Sequence, residues 1–271
     1  MCLKFTNFKR FYKLFIIIHI NYFPLNLIID IGNTKIKASI FLKGEFNTTK
    51  ASEKVDVEFA KELLSEFPTI EKVIISSVRE YPIDLITFLK TKTQHVFFFD
   101  SNLPIPVENL YESKKTLGYD RLAACIGAYA MNPNQNTLVI DAGTAITFDF
   151  LNKKGQYIGG CISPGLSMRY KALNHFTKKL PLLSVNEDYP LIGKNTNEAI
   201  TGGVQNGIVF EVDAYINQLK EKYDDLKVIL TGGDAPFLYK SIANTSTLEM
   251  NVLAIGLNHI LEFNILERSN N

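Results

Sequence analysis

The chain has 271 residues, enough for one large or two modest domains with a substantial core. Hydrophobic residues make up 46% of it and charged residues 21%, which fits a soluble globular protein. With 29 basic and 28 acidic residues the net charge is +1. That charge gives no reason to expect binding to nucleic acid or to an anionic membrane.

The three cysteines, Cys2, Cys125 and Cys161, are scattered and have no C-x-x-C spacing. This distribution argues against a disulfide framework and against a zinc site, and it favours reduced thiols. The four histidines show no spacing typical of metal ligands either. We therefore expect a cytoplasmic protein.

Residues 1–24 differ in character from the rest of the chain. They are basic and aromatic up to Lys13 and apolar from residue 14 to 20. A signal peptide is one interpretation, but no A-x-A-like cleavage site follows before Pro24. The apolar run is too short to span a bilayer. We predict a non-essential extension, translated upstream of a true start near Leu25.

The first structured element is a hairpin over residues 27–37, LIIDIGNTKIK. Three apolar residues predict a buried strand, and the acid, glycine and small polar residues that follow predict a tight turn. Such a turn suits a polyphosphate, because glycine lets the backbone come close and Asp30 can hold a metal or its water. On its own the pattern is more often that of an ordinary hairpin.

Strands and helices then alternate, with helices predicted over 57–67 and 84–93 and strands over 71–76 and 95–100. This alternation indicates an α/β layer with parallel strands. A helix follows that begins at Gly118-Tyr119-Asp120-Arg121. Asp120 is either a first-turn acid favoured by the helix dipole or a general base. In the second case Arg121 would keep Asp120 ionised and clamp an anionic substrate group.

The first pattern is repeated at residues 138–144, LVIDAGT, after a polar linker over 132–136. Gly44 lies 14 residues after Asp30, and Gly155 lies 14 residues after Asp141, each in a Lys-Gly pair. A duplicated unit of this length predicts two similar lobes. Two such lobes, each with an acidic phosphate turn, resemble the actin-like, sugar-kinase and Hsp70 ATPase superfamily. The implied fold is α/β, with two lobes of ribonuclease H-like topology (residues 25–136 and 137–271) and the nucleotide cleft between them.

Further glycine motifs follow in the second half of the chain. Residues 159–165, GGCISPG, predict a corner that is either tight packing or room for a ligand. Thr196 is predicted to cap a helix that Gly202, Gly203 and Gly207 interrupt. Residues 231–234, TGGD, predict a third glycine turn at the C-terminal end of a strand, where open α/β sheets bind ligands.

Taken in order, the motifs D-x-G-N-T, G-x-D-R, D-A-G-T-A, G-G-x-I-x-P-G and T-G-G-D resemble type III pantothenate kinase over about residues 25–262. The resemblance implies ATP-dependent phosphorylation of pantothenate, with Mg²⁺, a monovalent cation (K⁺ or NH₄⁺) and a homodimer. It implies that Asp120 is the general base and that Asp141 binds the monovalent cation. The implied ATP contacts are Asp30, Ile31, Gly32, Asn33, Thr34, Lys35, Ile36, Lys37 and Thr144. The implied substrate contacts are Tyr111, Gly118, Tyr119, Asp120, Arg121 and Thr196.

Two alternatives to this interpretation stay open at the level of sequence. One is another small-molecule kinase or a phosphohydrolase of the same superfamily. The other is a non-catalytic, nucleotide-sensing regulatory protein on the same fold. The chain has no G-x-x-x-x-G-K-[ST] loop, so phosphate must be held by the turns and by cations.

Overall fold

A computed structural model describes residues 23–32, 36–54 and 56–270. The chain folds into two compact units. The first unit contains the described residues up to Pro106 together with those from Ala254 to Asn270, and the second unit contains Val107–Leu253. Residues 1–22 of the predicted extension (residues 1–24) lie outside the described residues, and the dispensability of the extension stays a prediction. No helix of the described part of the chain is long and apolar enough to cross a membrane.

The first unit is built on a five-stranded sheet in the order β3-β2-β1-β4-β5. The strands are β1 (Leu25–Ile31), β2 (Ile36–Leu42), β3 (Glu45–Ser52), β4 (Ile70–Ser77) and β5 (His95–Phe98). The helices are α1 (Val57–Glu66) and α2 (Ile83–Lys92). β1, β2 and β3 are antiparallel neighbours, whereas β1, β4 and β5 run parallel, as expected for strands joined by helices.

The second unit is built on a six-stranded sheet in the order β11-β10-β7-β8-β9-β6. Its strands are β6 (Glu108–Asn109), β7 (Thr137–Ala142), β8 (Ala145–Leu151), β9 (Gln156–Pro164), β10 (Lys227–Thr231) and β11 (Thr247–Leu248). Its helices are α3 (Tyr119–Met131), α4 (Leu166–Phe176), α5 (Thr196–Lys220) and α6 (Ala235–Ser241), and a 3-10 turn spans Lys114–Thr116.

The predicted duplication is confirmed by the strand order. β3-β2-β1-β4-β5 in the first sheet corresponds to β9-β8-β7-β10-β11 in the second, with the same parallel and antiparallel pairings. In each unit the second hairpin turns at the predicted glycine, and both glycines have positive φ (85° for Gly44 and 74° for Gly155). The apolar runs of β1 and β7 are buried, which fixes each acidic turn at the end of a central strand.

The last helix, α7 (Val252–Asn270), returns the chain to the first unit. The Asn26 side-chain amide donates to Asn258 at 2.8 Å and to Glu262 at 2.6 Å, and Lys72 forms an ion pair with Glu262 at 3.1 Å. Buried polar groups require such partners, so these bonds attach α7 to β1 and β4. The predicted boundary between residues 136 and 137 lies inside the second unit, and it stays a prediction.

Candidate active site

The first acidic turn follows β1. Asp30 is half-buried and lies opposite Lys37 on β2, and Gly32 is half-buried. The side chains of Ile31 and Ile36 are each 1% exposed and belong to the core, so only their backbone could meet a phosphate. Lys37 is exposed. Asn33, Thr34 and Lys35, the centre of the predicted phosphate loop, lie outside the described residues.

The second acidic turn joins β7 to β8. Asp141 is half-buried at the end of β7, and Thr144 is exposed at the tip of the turn. The Gly143 N–H donates to the Ala145 carbonyl at 3.0 Å and closes the turn. Gly165 donates to the Thr144 carbonyl at 3.1 Å, and a methyl group on its α-carbon would overlap the backbone of Gly143 and Thr144. Gly165, in the predicted corner, therefore supports this turn by tight packing.

The third glycine turn packs against Asp141. Gly232 has a φ of 93°, and a methyl group on its α-carbon would overlap both Asp141 Oδ1 and the backbone of Ala142. The Asp234 N–H donates to the Ala142 carbonyl at 2.8 Å, and burial raises the pKa of the Asp234 carboxyl group. Two motifs that are about 90 residues apart in the sequence are thus brought together around one carboxylate.

The chemistry of these turns fits cations that are shared with a nucleotide. Within the described residues, no group of three or more histidine, cysteine, aspartate or glutamate side chains could hold a metal ion. Mg²⁺ usually binds one or two carboxylates together with substrate phosphates rather than an all-protein cage. Asp30 and Asp141 each offer a half-buried carboxylate next to glycine backbone, which meets that requirement.

Asp120 lies in the first turn of α3 and is half-buried. Its Oδ1 accepts the backbone N–H of Arg121 at 2.9 Å. Gly118, the N-cap residue, lies so close to this carboxylate that a methyl group on its α-carbon would overlap Asp120 Oδ1. Tyr119, the first residue of the helix, is half-buried. The carboxylate is therefore held at the helix start, where the dipole favours its charge.

The Arg121 side chain pairs with Asp149 rather than with Asp120, its neighbour in the sequence. Successive residues on a helix do not face each other. Arg121 Nε lies 3.0 and 3.1 Å from the two Asp149 oxygens, and Nη2 lies 2.6 Å from Oδ1. Burial disfavours the charged guanidinium, but the hydrogen bonds and charge of Asp149 outweigh it and raise the pKa of Arg121.

Asp149, on β8, is the functional candidate that sequence reasoning missed. It is 1% exposed and also accepts a 2.7 Å hydrogen bond from the Tyr157 hydroxyl, whose pKa is raised by burial and by the Asp149 charge. The available signal was an acid between two phenylalanines, Phe148 and Phe150. A buried carboxylate needs a charged partner, but the sequence does not say which one.

Tyr111 lies next to Arg121 and Tyr157, and these three residues together with Asp149 are called the Arg121 cluster below. Its half-buried ring lies 6.0 Å from the Arg121 guanidinium carbon and 6.1 Å from the Tyr157 ring. A β-carbon on Gly159 would come within 3.5 Å of the Tyr111 ring. The structure thus brings together four of the predicted substrate contacts, Tyr111, Gly118, Asp120 and Arg121.

Thr196 is the first residue of α5 and not its cap, which corrects the prediction. Asn195 is the N-cap residue, and its side chain accepts the Glu198 N–H at 3.0 Å. Thr196 is exposed and lines a groove of about 860 Å³ between α4 and α5. No hydrogen bond or ion pair joins Thr196 to the Arg121 cluster within the part of the chain that the structure describes.

The predicted interruption of α5 by glycines is wrong, since the helix runs unbroken over Thr196–Lys220. Gly202 instead allows the preceding loop to approach, because a methyl group there would come 2.5 Å from the Pro190 carbonyl oxygen. The Asn206 amide donates to the same oxygen at 3.0 Å. Together they fix the connection that leads to Thr196.

Comparisons with known proteins indicate one family. The family model for type III pantothenate kinase matches residues 26–218. The type III pantothenate kinase of Flavobacterium johnsoniae is 39% identical over 241 residues, covering 88% of this chain and 98% of that protein. The enzyme of the same name from Phocaeicola vulgatus is 40% identical over 240 residues, covering 89% and 99%.

A solved structure of a glucokinase from an Antarctic psychrotroph aligns with a TM-score of 0.52 at 12% identity, covering 89% of this chain and 99% of that one. This likeness shows the fold alone, and it confirms the predicted α/β fold. With the family model matching more than half of its length, the chain belongs to the type III pantothenate kinase family.

Proposed function

We propose that the protein catalyses the ATP-dependent phosphorylation of pantothenate to 4'-phosphopantothenate, the first step of coenzyme A biosynthesis. The observation that carries this proposal is the Asp120 carboxylate held against Gly118 at the start of α3, beside an arginine that is fixed by its own buried partner. The names of the 39–40% identical relatives support the same reaction. We place this reaction in the cytoplasm, where ATP is available.

Asp120 is the general base in this proposal. It accepts the proton of the pantothenate hydroxyl as that oxygen attacks the γ-phosphorus, a role worth about 10²- to 10⁴-fold in rate. Its position is restricted by Gly118 on one side and by the Arg121 N–H on the other. Phosphoryl transfer depends mostly on such positioning and on neutralising charge.

Arg121, Tyr111, Gly118 and Tyr119 bind pantothenate. A guanidinium is suited to the carboxylate of this substrate, because it offers paired N–H donors in a plane. Tyr111 packs beside Arg121 and supplies an aromatic face for the body of the substrate. Gly118 allows the substrate to approach the base closely, since it has no side chain in the way.

ATP is bound by the first turn, residues 30–37, and by Thr144 of the second turn. Backbone N–H groups next to glycine form concave anion sites, which can replace a P-loop. Asp30 is suited to the Mg²⁺ that accompanies ATP. Mg²⁺ bound to the phosphates supplies neutralisation of the charge that develops during transfer.

Asp141 binds the activating monovalent cation, K⁺ or NH₄⁺. Its carboxylate is half-buried and is surrounded by the backbone of Gly143, Ala142 and Gly232. Carboxylate and carbonyl oxygens are the ligands that hard cations prefer. The cation would add positive charge near the phosphates without taking part in proton transfer.

A homodimer is the proposed assembly, with Thr196 reaching the substrate site of its partner. The second unit has a series of large apolar side chains that are strongly exposed, more than isolated surface positions would explain. They are Ile162 (64%), Phe176 (83%), Leu191 (68%), Ile192 (79%) and Phe210 (57%). Obligate dimer interfaces have this apolar character.

A coupled assay that follows ADP formation tests the function directly. Purified protein should release ADP only when pantothenate and Mg²⁺-ATP are both present, and the product should be 4'-phosphopantothenate. Turnover of a different small molecule, with none on pantothenate, would instead indicate another kinase of the superfamily. ATP binding with no turnover of any substrate would support the regulatory alternative.

A further inference from the structure

We propose that Asp149 is a positioning residue for pantothenate: it holds the Arg121 guanidinium in the orientation that receives the substrate carboxylate, and Tyr157 fixes Asp149. This inference rests on the proposed function and adds a buried layer behind the residues that touch the substrate.

The first step is the geometry of the pair. Asp149 binds the side edge of the guanidinium, formed by Nε and Nη2, through three contacts of 2.6 to 3.1 Å. The Arg121 and Asp149 side chains are only 10% and 2% exposed, so water screens the pair weakly. Because both Nε and Nη2 contact one carboxylate, the position and the plane of the guanidinium are both fixed.

The second step is that this side-on pairing leaves the opposite edge of the guanidinium facing away from Asp149, with Tyr111 as a further hydrogen-bonding neighbour of Arg121. Nη1 and the second hydrogen of Nη2 point along the other edge, which can meet another carboxylate in a fork-to-fork arrangement. A free arginine would lose rotamer entropy on binding an anion. Arg121 has already lost that freedom to Asp149.

The third step is that Gly160 leaves the space that the pair occupies. A β-carbon there would lie 2.5 Å from Asp149 Oδ1 and 2.8 Å from Arg121 Nη2 and would overlap the Phe148 carbonyl oxygen, so a larger residue would disturb both the pair and the strand backbone. Tyr157 is 0% exposed and donates to Asp149 Oδ1 at 2.7 Å. The G-G pair of β9 therefore makes room for the Asp149–Arg121 pair.

The direction in which Asp149→Asn changes pantothenate binding distinguishes a positioning role from a purely electrostatic effect. Asp149 carries a negative charge close to the site of an anionic substrate. If its only effect on the substrate were electrostatic, Asp149→Asn would tighten pantothenate binding, because repulsion would disappear. If Asp149 positions Arg121, the same substitution weakens pantothenate binding.

The test compares Asp149→Asn, Tyr157→Phe and a matched control, Asp213→Asn, in the full-length protein. Asp213 is also a carboxylate of the second unit with three hydrogen bonds, to the backbone N–H of Ala243 and to the backbone and side chain of Asn244. We expect Asp149→Asn to lower kcat/KM for pantothenate about 10- to 100-fold through KM, the range for a lost hydrogen bond to a charged group, with KM for ATP unchanged. Tyr157→Phe should act in the same direction and less strongly, and Asp213→Asn should alter the melting temperature only.

A double-mutant cycle makes the test independent of folding defects. In an Arg121→Gln background, Asp149→Asn should have almost no further effect on KM for pantothenate, because its action passes through Arg121. Additive losses, equal losses for both substrates, or a lowered KM for pantothenate would overturn the proposal. If Asp149→Asn fails to fold, an unchanged KM in Tyr157→Phe would overturn it. A wild-type protein that neither binds nor phosphorylates pantothenate would refute the proposed function itself.

Discussion

Gly118 lies so close to the Asp120 carboxylate that a methyl group on its α-carbon would overlap Oδ1. The backbone at Gly118 is extended, with a φ of −63° and a ψ of 128°, which any residue can adopt. The glycine is therefore required by the space that the carboxylate occupies and not by backbone conformation. The orientation of Asp120 and the absence of a side chain at position 118 depend on each other.

Gly118→Ala should displace Asp120 and leave the fold intact. The Asp120 side chain can rotate away from the new methyl group, so we expect the free energy of unfolding to change by less than about 1 kcal/mol. Because a misplaced base loses its alignment, kcat should fall about 10-fold or more. Gly207→Ala, where the new methyl group meets only Arg169 Nη1 at 3.9 Å, is the matched control. Equal kcat values for both variants would contradict the assignment.

The substitution Asp120→Asn distinguishes the two possible roles of Asp120, a general base and a first-turn acid that only stabilises the helix. The amide oxygen of asparagine can still accept the Arg121 N–H, so thermal stability should stay within about 1 kcal/mol of the wild type. The variant should still bind ATP and pantothenate, but kcat should fall about 10²-fold or more because an amide cannot take the proton. Calorimetric binding and kcat on the same preparation provide the measurement. Near-native turnover with lowered stability would indicate a structural acid only.

The fold could be predicted because it follows from local patterns. The buried runs of β1 and β7, the glycine turns and the Lys-Gly hairpins all repeat within the chain, and repetition predicts two similar sheets. The attachment of α7 to the first unit could not be predicted, since it depends on Asn258 and Glu262 meeting Asn26 more than 230 residues away. Helix periodicity alone does not name the sheet that a helix covers.

The positions of the candidate site residues in the sequence could be predicted, but the pairing between them could not. The motifs predict Asp120, Arg121 and Asp141 at helix and strand ends, where the backbone sets the direction of each Cα–Cβ bond. The pairing of Arg121 with Asp149 depends on the three-dimensional approach of α3 to β8, which Gly160 permits. The sequence predicts Thr196 as a helix cap because threonine often is one, but the adjacent Asn195 competes for that position and occupies it.

The monovalent cation gives a prediction for Asp141. Replacing sodium by potassium or ammonium should raise the activity of the wild-type enzyme, because the larger, more weakly hydrated cations suit a carboxylate beside backbone carbonyls. Asp141→Asn should remove that response, since the amide has no charge to hold the cation. Initial rates in matched chloride buffers, with ammonium removed, provide the measurement. Equal rates in sodium and potassium for the wild type would refute this role.

The N-terminal extension should be dispensable. A variant in which Leu25 follows the initiator methionine keeps the Leu25 N–H bond to the Thr69 carbonyl and the Asn26 bonds to α7, so stability and kcat should match the full-length protein. A variant that begins at Leu27 also loses Leu25, which is 0% exposed, and should lose about 2–5 kcal/mol. Melting temperature and the coupled assay distinguish the two. Loss of activity in the first variant, while it remains folded, would show that the extension contributes to function.

Mixed dimers test whether Thr196 acts on the partner's site. Asp120→Asn and Thr196→Ala should each be nearly inactive as homodimers. If Thr196 completes the partner's site, a dimer of one chain of each kind has one site with both defects and one site with none. Random assortment of the two chains should then restore about a quarter of wild-type activity, because half the dimers are mixed and half their sites are intact. If Thr196 serves its own chain's site, every site keeps one defect and mixing restores nothing.

Co-expression with two affinity tags, followed by isolation of doubly tagged dimers, raises the expected value to about half, since each such dimer has one intact site. Activity that stays at the level of the single variants would place Thr196 in its own chain's site or outside the site altogether.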